Sequence, residues 1–213
     1  MAYRRTENVV RRLAEREQTI LDAAQSIAAE GGMGAVQIAP VALRADIAAG
    51  TVYRYFPSKG DLVAELIAAT SDREVAAMRA AADAAPGPLS ALAACIATFA
   101  VRAMRERRLA WALMAEPVDA DIDILRLEFR RALAAELEAR IGVAIAGRHL
   151  PDQDARVAAS AVVGALLEGL VGPLAPTSGN VRESVQTIAL FALRAVGVVD
   201  ARARGLVVQC VLP

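Results

Sequence analysis

The chain has 213 residues, enough for a buried core and for one large or two small domains. Hydrophobic residues make up 56% and aromatics only 4%; Ala, Leu and Val dominate, which favours helices over a strand-built fold. Lys plus Arg and Asp plus Glu number 24 each, so the net charge of zero argues against a chain coated with nucleic acid or held on an anionic membrane by bulk charge.

In chain order, residues 1–8 are polar and basic and are expected to form an arm. A first helix is predicted from Val9 to about Glu30, with Leu13, Ile20, Leu21, Ala24, Ile27 and Ala28 at steps of three and four. Gly31-Gly32 stops it. A short helix from Ile38 to Ala45 and another from Ala49 to Tyr55 flank Asp46-Ile47, the outline of a helix-turn-helix. Pro57 ends the third helix by disfavouring helical geometry at Phe56. Ser58, with Asp61 three residues on, caps a long fourth helix reaching about Ala85. In it Leu62, Leu66, Ala69, Ala76 and Ala80 are expected to face inward, and Asp72, Arg73 and Glu74 to form a solvated turn.

Pro86-Gly87-Pro88 separates this helix from the next, Leu89 to about Glu106. Arg107 to Ala115 carries the single tryptophan, Trp111, and Pro117 breaks the chain. Ile122 to about Ala146 keeps an apolar period through Leu125, Phe129, Leu133, Leu137 and Ile141, with Arg126, Glu128, Arg130 and Glu138 read as its wet face. Two apolar helices follow, about 152–171 and 181–198, divided by the loop Gly172 to Asn180. The tail, residues 200–213, ends in a short β-prone run and receives no element. The expected fold is therefore all-α with about nine helices.

Residues 1–60 carry eight cations and six anions, a surplus of two positive charges. Cys95 and Cys210 are far apart and in apolar surroundings, which suggests neither a disulfide framework nor a thiolate metal site. A cytoplasmic setting fits, and neither a signal peptide nor a membrane span is expected.

One stretch stands out: Thr51-Val52-Tyr53-Arg54-Tyr55-Phe56-Pro57-Ser58-Lys59 packs three aromatics and two cations into nine residues. With Ile20-Leu21-Asp22-Ala23-Ala24, Gly31-Gly32, Val41-Ala42 and Arg44-Ala45, it makes the segment from Glu15 to Leu66 closely resemble the N-terminal DNA-binding domain of the TetR family of transcriptional regulators. The remainder is similar only in length and helical character. The resemblance implies a DNA-binding domain over residues 1–57 and an effector-binding and dimerisation domain over residues 58–199. It further implies a homodimer placing the Ala49 to Tyr55 helices in successive major grooves of a palindromic operator, roughly 35 Å apart.

The chemistry of the residues agrees with that expectation. Hydroxyls of Thr51, Tyr53 and Tyr55 donate to phosphates, Lys59 adds a charge that gains from counterion release, and Ala48, Ala49 and Gly50 let the backbone approach a duplex. Arg54, Gln37 and Arg44 have donors for base edges or phosphates. Phe56 is expected to anchor the small domain's core. Two positions depart from the family pattern: Asp46 replaces the usual glycine of the turn, and Ala48 replaces the usual Ser or Thr cap. Asp tolerates left-handed geometry better than most residues, so the turn is expected to survive. Losing the cap costs on the order of 1 kcal/mol and removes a phosphate contact.

For the C-terminal helices, Met78, Phe99, Met104, Trp111, Met114, Phe129 and Glu168 are the candidate lining of an effector pocket, and the effector is expected to be apolar or aromatic. Dimerisation is expected through helices 152–171 and 181–198, packed as a four-helix bundle, with Val163, Leu166, Leu170, Ile188, Ala192 and Ala195 at the interface. No catalytic residue, metal or cofactor is expected. The leading reading is a repressor released by a small molecule. The alternatives are a DNA-binding protein of architectural or division-control role without an effector, and a helical enzyme using His149 with Asp152 or Cys95.

Overall fold

The structure, a computed structural model, describes residues 7–116, 120–176 and 180–210. Residues 1–6 of the expected arm, the expected break at Pro117 and the last three residues of the tail lie outside these. Among the described residues there are ten α-helices and no strand: α1 (Glu7–Gly31), α2 (Ile38–Arg44), α3 (Ala49–Tyr55), α4 (Lys59–Asp83), α5 (Pro88–Arg105), α6 (Arg107–Met114), α7 (Ala120–Ala146), α8 (Ala155–Leu166), α9 (Val181–Ala195) and α10 (Asp200–Cys210). A single 3-10 turn covers Met33–Ala35, and α8 widens into a π-type turn over Leu167–Val171.

Local chemistry sets many of the boundaries. At α4 the Ser58 hydroxyl accepts from the Asp61 amide at 3.1 Å while the Asp61 carboxylate accepts from the Ser58 amide at 2.9 Å, a reciprocal capping box. Asp154 accepts from the amides of Arg156 and Val157 at the start of α8, and Asn180 from that of Arg182 at the start of α9. Pro88 sits in the first turn of α5, where its missing N–H costs nothing. Gly32 ends α1 at φ 79, a left-handed geometry costly for any residue with a Cβ.

The helices α1, α2 and α3 pack on one another, and α4 leads away from them into a bundle in which α5 is the central post, touching α4, α7, α9 and α10. By length and composition α5 is apolar enough to cross a membrane; here Leu92, Cys95, Ile96, Phe99 and Ala100 are buried against its neighbours. Burial pushes the Cys95 thiol up to about 12, so it is an inert core group and no nucleophile. His149 lies on the surface.

The structure corrects four expectations. The tail forms α10, held by Ala203, Leu206 and Val207 against α5 and α9; burial overrides the weak helix propensity of its valines. This makes ten helices where about nine were expected. In α4 the second half turns Met78 and Ala82 inward and leaves Ala76 and Ala80 exposed, while Asp72 and Arg73 are solvated as expected. Arg126, placed on the wet face of its helix by sequence, is 1% exposed. Its guanidinium donates to the carbonyls of Ala112 and Glu116 at the end of α6, and its Nε finds no partner. A cation at a helix C-terminus interacts favourably with the backbone dipoles.

Candidate nucleic-acid interface and effector cavity

The turn between α2 and α3 is closed by the Asp46 amide to the Leu43 carbonyl at 3.2 Å and by Ile47 to Ala42 at 3.0 Å. Asp46 takes φ 53, the left-handed geometry usually given to glycine. Ala48 is the N-cap of α3 and has no side chain to accept a hydrogen bond; the carbonyl of Ala48 still accepts from Thr51 at 2.8 Å. Val52 and Phe56 point into the core and fix the roll of α3. The opposite side is left in solvent: Ala48, Ala49, Gly50, Tyr53 (52% exposed) and Arg54, with Thr51, Tyr55 and Lys59 half-buried at its margins.

Gly50 is informative because nothing inside the protein requires it. A Cβ there would meet no heavy atom within 4 Å, and its backbone is ordinary helix. A missing side chain with no internal purpose leaves room for something outside. Gln37 is exposed and donates from its amide to the Gly34 carbonyl at 3.1 Å. Arg44 is differently engaged: it makes a two-pronged pair with Glu30 of α1, both bonds 2.7 Å, and donates to the Ser26 hydroxyl at 2.5 Å. The hydrogen bond from Arg44 holds the Glu30 carboxyl below its usual range, and the pair ties α2 to α1.

A cavity of about 250 Å³ lies where α1, α4, α5, α6 and α7 meet. Phe99, Leu109, Leu113, Met114 and Phe129 form its apolar floor, while Gln25, Arg73, Glu74, Arg105 and Glu106 are at its mouth. Of the expected lining residues the structure therefore brings Phe99, Met114 and Phe129 together. Met78 is core packing on α4, and Met104 and Trp111 are half-buried away from the cavity. Glu168 is exposed on the α8–α9 face beside Gly172.

That face also differs from expectation. Val163, Leu166, Leu170 and Ala192 are buried inside the single subunit, and Ile188 packs over Gly169 of its own chain. The outward side of α8 and α9 instead carries Val157 (64% exposed), Ala161, Gly164, Ala165, Phe191 (54% exposed) and Ala195. Of the residues expected at a dimer interface, Ala195 lies on this outward side, and the other five are buried or packed within the subunit.

The family profile described as "Bacterial regulatory proteins, tetR family" matches residues 20–66. The HTH-type transcriptional repressor KstR of Rhodococcus jostii is 51% identical over 59 residues, 28% of this chain and 28% of that protein. The chain thus matches little more than a quarter of this relative's length. Over nearly its whole length it superposes on the crystal structure of RolR with resorcinol, with a TM-score of 0.68 at 21% identity, covering 94% of this chain and 98% of that one. The fatty acid degradation regulator FadR from Bacillus halodurans gives a TM-score of 0.73 at 20% identity, covering 83% and 97%. Residues 20–66 thus match the DNA-binding domain of the tetR family of bacterial regulatory proteins.

The matched segment runs from within α1 to within α4 and contains the helix-turn-helix, and the remaining helices share the fold of the superposed structures. Sequence reasoning missed the Arg44–Glu30 pair and the contribution of Gln25, Arg73 and Arg105 to the cavity. Arg44 lies 14 positions from Glu30 and Arg73 lies 48 from Gln25, so no local pattern signals these pairs. On the α3 face, Gly50→Ala is expected to leave thermal stability unchanged or to raise it by up to about 1 kcal/mol, since alanine favours helix. Its DNA affinity should fall at least tenfold. Melting curves alongside DNA-binding anisotropy check both, and equal affinity would remove Gly50 from the interface.

Proposed function

We propose that this chain is a homodimeric repressor whose two α3 helices read a palindromic operator and whose affinity for it falls when a small molecule enters the α4–α7 cavity. The observation that carries the reading is the exposed α3 face, on which Gly50, Tyr53 and Arg54 stand in solvent. A helix presented this way suits a major groove, with Tyr53, Tyr55, Thr51 and Lys59 donating to phosphates and Arg54 to base edges or phosphates. Gln37 sits at the N-terminus of α2 with donors to spare. Arg44 belongs to a positioning role in this reading, since its guanidinium already holds α1.

Two links between the small domain and the bundle support effector control. One is α4, continuous with the small domain through Lys59. The other is α6, which packs on α1; just past its end the Glu116 carboxylate accepts from the Met33 amide at 2.7 Å, beside the strained Gly32. A ligand that moves α4 relative to α6 therefore shifts α1 and, through the Glu30–Arg44 pair, α2. Coupling of this kind is reciprocal: an effector that loosens operator binding must bind the DNA-bound dimer less well. RolR was crystallised with resorcinol, which is consistent with small-molecule control in this fold.

Selecting bound fragments from genomic DNA tests the reading. The expected result is a palindrome with half-sites about one helical turn apart. Binding without sequence preference would favour the architectural alternative.

A further inference from the structure

We infer that the effector of this cavity is a small amphipathic anion whose acidic head draws Arg73 away from Gln25, so that binding itself breaks a bond between α1 and α4. The inference rests on the cavity being the effector site. It begins from the contrast between the cavity's floor and its mouth. The floor is apolar and includes two phenylalanine rings, Phe99 and Phe129. At about 250 Å³ the space is smaller than the roughly 300–1,000 Å³ of drug-sized pockets, so it suits one ring or a short alkyl chain.

The mouth is cationic once its internal pairing is followed. Arg102 is committed to Glu74 by two bonds of 2.6 and 2.7 Å. Arg73 is not: it donates only to neutral oxygens, Gln25 Oε1 at 2.5 Å and Thr70 Oγ1 at 3.2 Å. Among the described residues Arg105 and Glu106 make no ion pair, so beyond the Arg102–Glu74 pair two guanidiniums face one carboxylate. A carboxylate accepts from a guanidinium about twice as strongly as an amide oxygen does, and in two-pronged geometry. An acid seated on the phenylalanine floor therefore outcompetes Gln25 for Arg73.

The exchange has a regulatory consequence because of where Gln25 sits. It lies on α1, in the DNA-binding domain, while Arg73 and Thr70 lie on α4. Taking Arg73 removes the side-chain hydrogen bond between these two helices and leaves α1 free to turn. The ligand's charge thus acts as the signal, and its apolar body only supplies residence.

The test uses calorimetric titration of the full chain with benzoate, 4-phenylbutyrate and octanoate, each against its uncharged primary amide. At least one acid should bind about tenfold or more tightly than its amide, as expected for a charge-assisted bond. Arg73→Gln should erase that preference. Gln25→Ala should strengthen the acid severalfold and leave the amide unchanged, an effect that a merely structural role for Gln25 would not produce. Leu109→Trp, which fills the cavity, should abolish binding of both. Amides that equal their acids, or an acid preference that survives Arg73→Gln, would overturn the anionic class while leaving the cavity as the effector site. No cavity-dependent binding by any of the six compounds would overturn both.

Discussion

Phe191→Asp is expected to convert the proposed dimer into folded monomers that no longer hold the proposed operator. Phe191 is 54% exposed in the isolated subunit, so a carboxylate there is solvated and the bundle core is untouched. In a two-fold interface each substitution counts twice. Losing two buried phenylalanine side chains, at about 1.5–3 kcal/mol each, weakens association by about a hundredfold to ten-thousandfold even before the added carboxylates are desolvated. The neighbouring surface is consistent with this contact: Ala161, Gly164 and Ala165 are small, and a Cβ at Gly164 would meet nothing within its own subunit. Sedimentation measures the association state, and a melting curve shows whether the subunit stays folded. A charge at Leu166, which is 2% exposed, should instead unfold the subunit. An intact Phe191→Asp dimer would move the interface elsewhere.

Arg126→Ala is expected to destabilise the bundle by about 3–5 kcal/mol, through the lost packing of a large buried side chain and the loss of a donor to two carbonyls. For a domain of this size that lowers the melting temperature by roughly 10 °C. The side chain fills space that alanine leaves empty, and it is the donor to two carbonyls at the end of α6. Burial lowers its pKa, so the folded protein already bears a cost for keeping it charged. Arg126→Met separates volume from hydrogen bonding. It should recover the packing and still lose about 1–3 kcal/mol through the orphaned carbonyls. A methionine variant as stable as the parent would mean that the buried charge returns no more than it costs.

How much was legible in the sequence follows from how local each cause is. The end of α3 and the start of α4 are written in Pro57, Ser58 and Asp61, which act on their immediate neighbours, and these boundaries agree with the structure. Asp46 was likewise readable, since its left-handed turn depends on its own backbone. By contrast α10 ends in Leu206-Val207-Val208, a run whose valines favour helix only weakly; burial of Leu206 and Val207 against α5 and α9 holds it in the helix. The outward sides of α8 and α9 were unreadable because both sides are apolar. When alanine, glycine and valine surround a helix, periodicity cannot say which face meets its own core. Arg126 failed for the opposite reason: its charge marked a wet face, and only the α6 carbonyls more than nine residues away explain its burial.

The cavity between α1, α4, α5, α6 and α7 is the extreme case. Its lining comes from five helices, and the polar residues at its mouth are indistinguishable in sequence from solvated surface. Phe99, Met114 and Phe129 were found through their bulk, whereas Met78, Met104 and Trp111 have the same signal and serve packing elsewhere.

The reading face on α3 and the outer face of α8 and α9 lie on separate helices at opposite ends of the chain, and this has a genetic consequence. An allele altered only on α3, such as Gly50→Ala, still pairs with intact subunits and spoils them, so in a cell carrying both copies it should be dominant in a reporter assay. A Phe191 allele withdraws from pairing and leaves its sibling unharmed. It should be recessive.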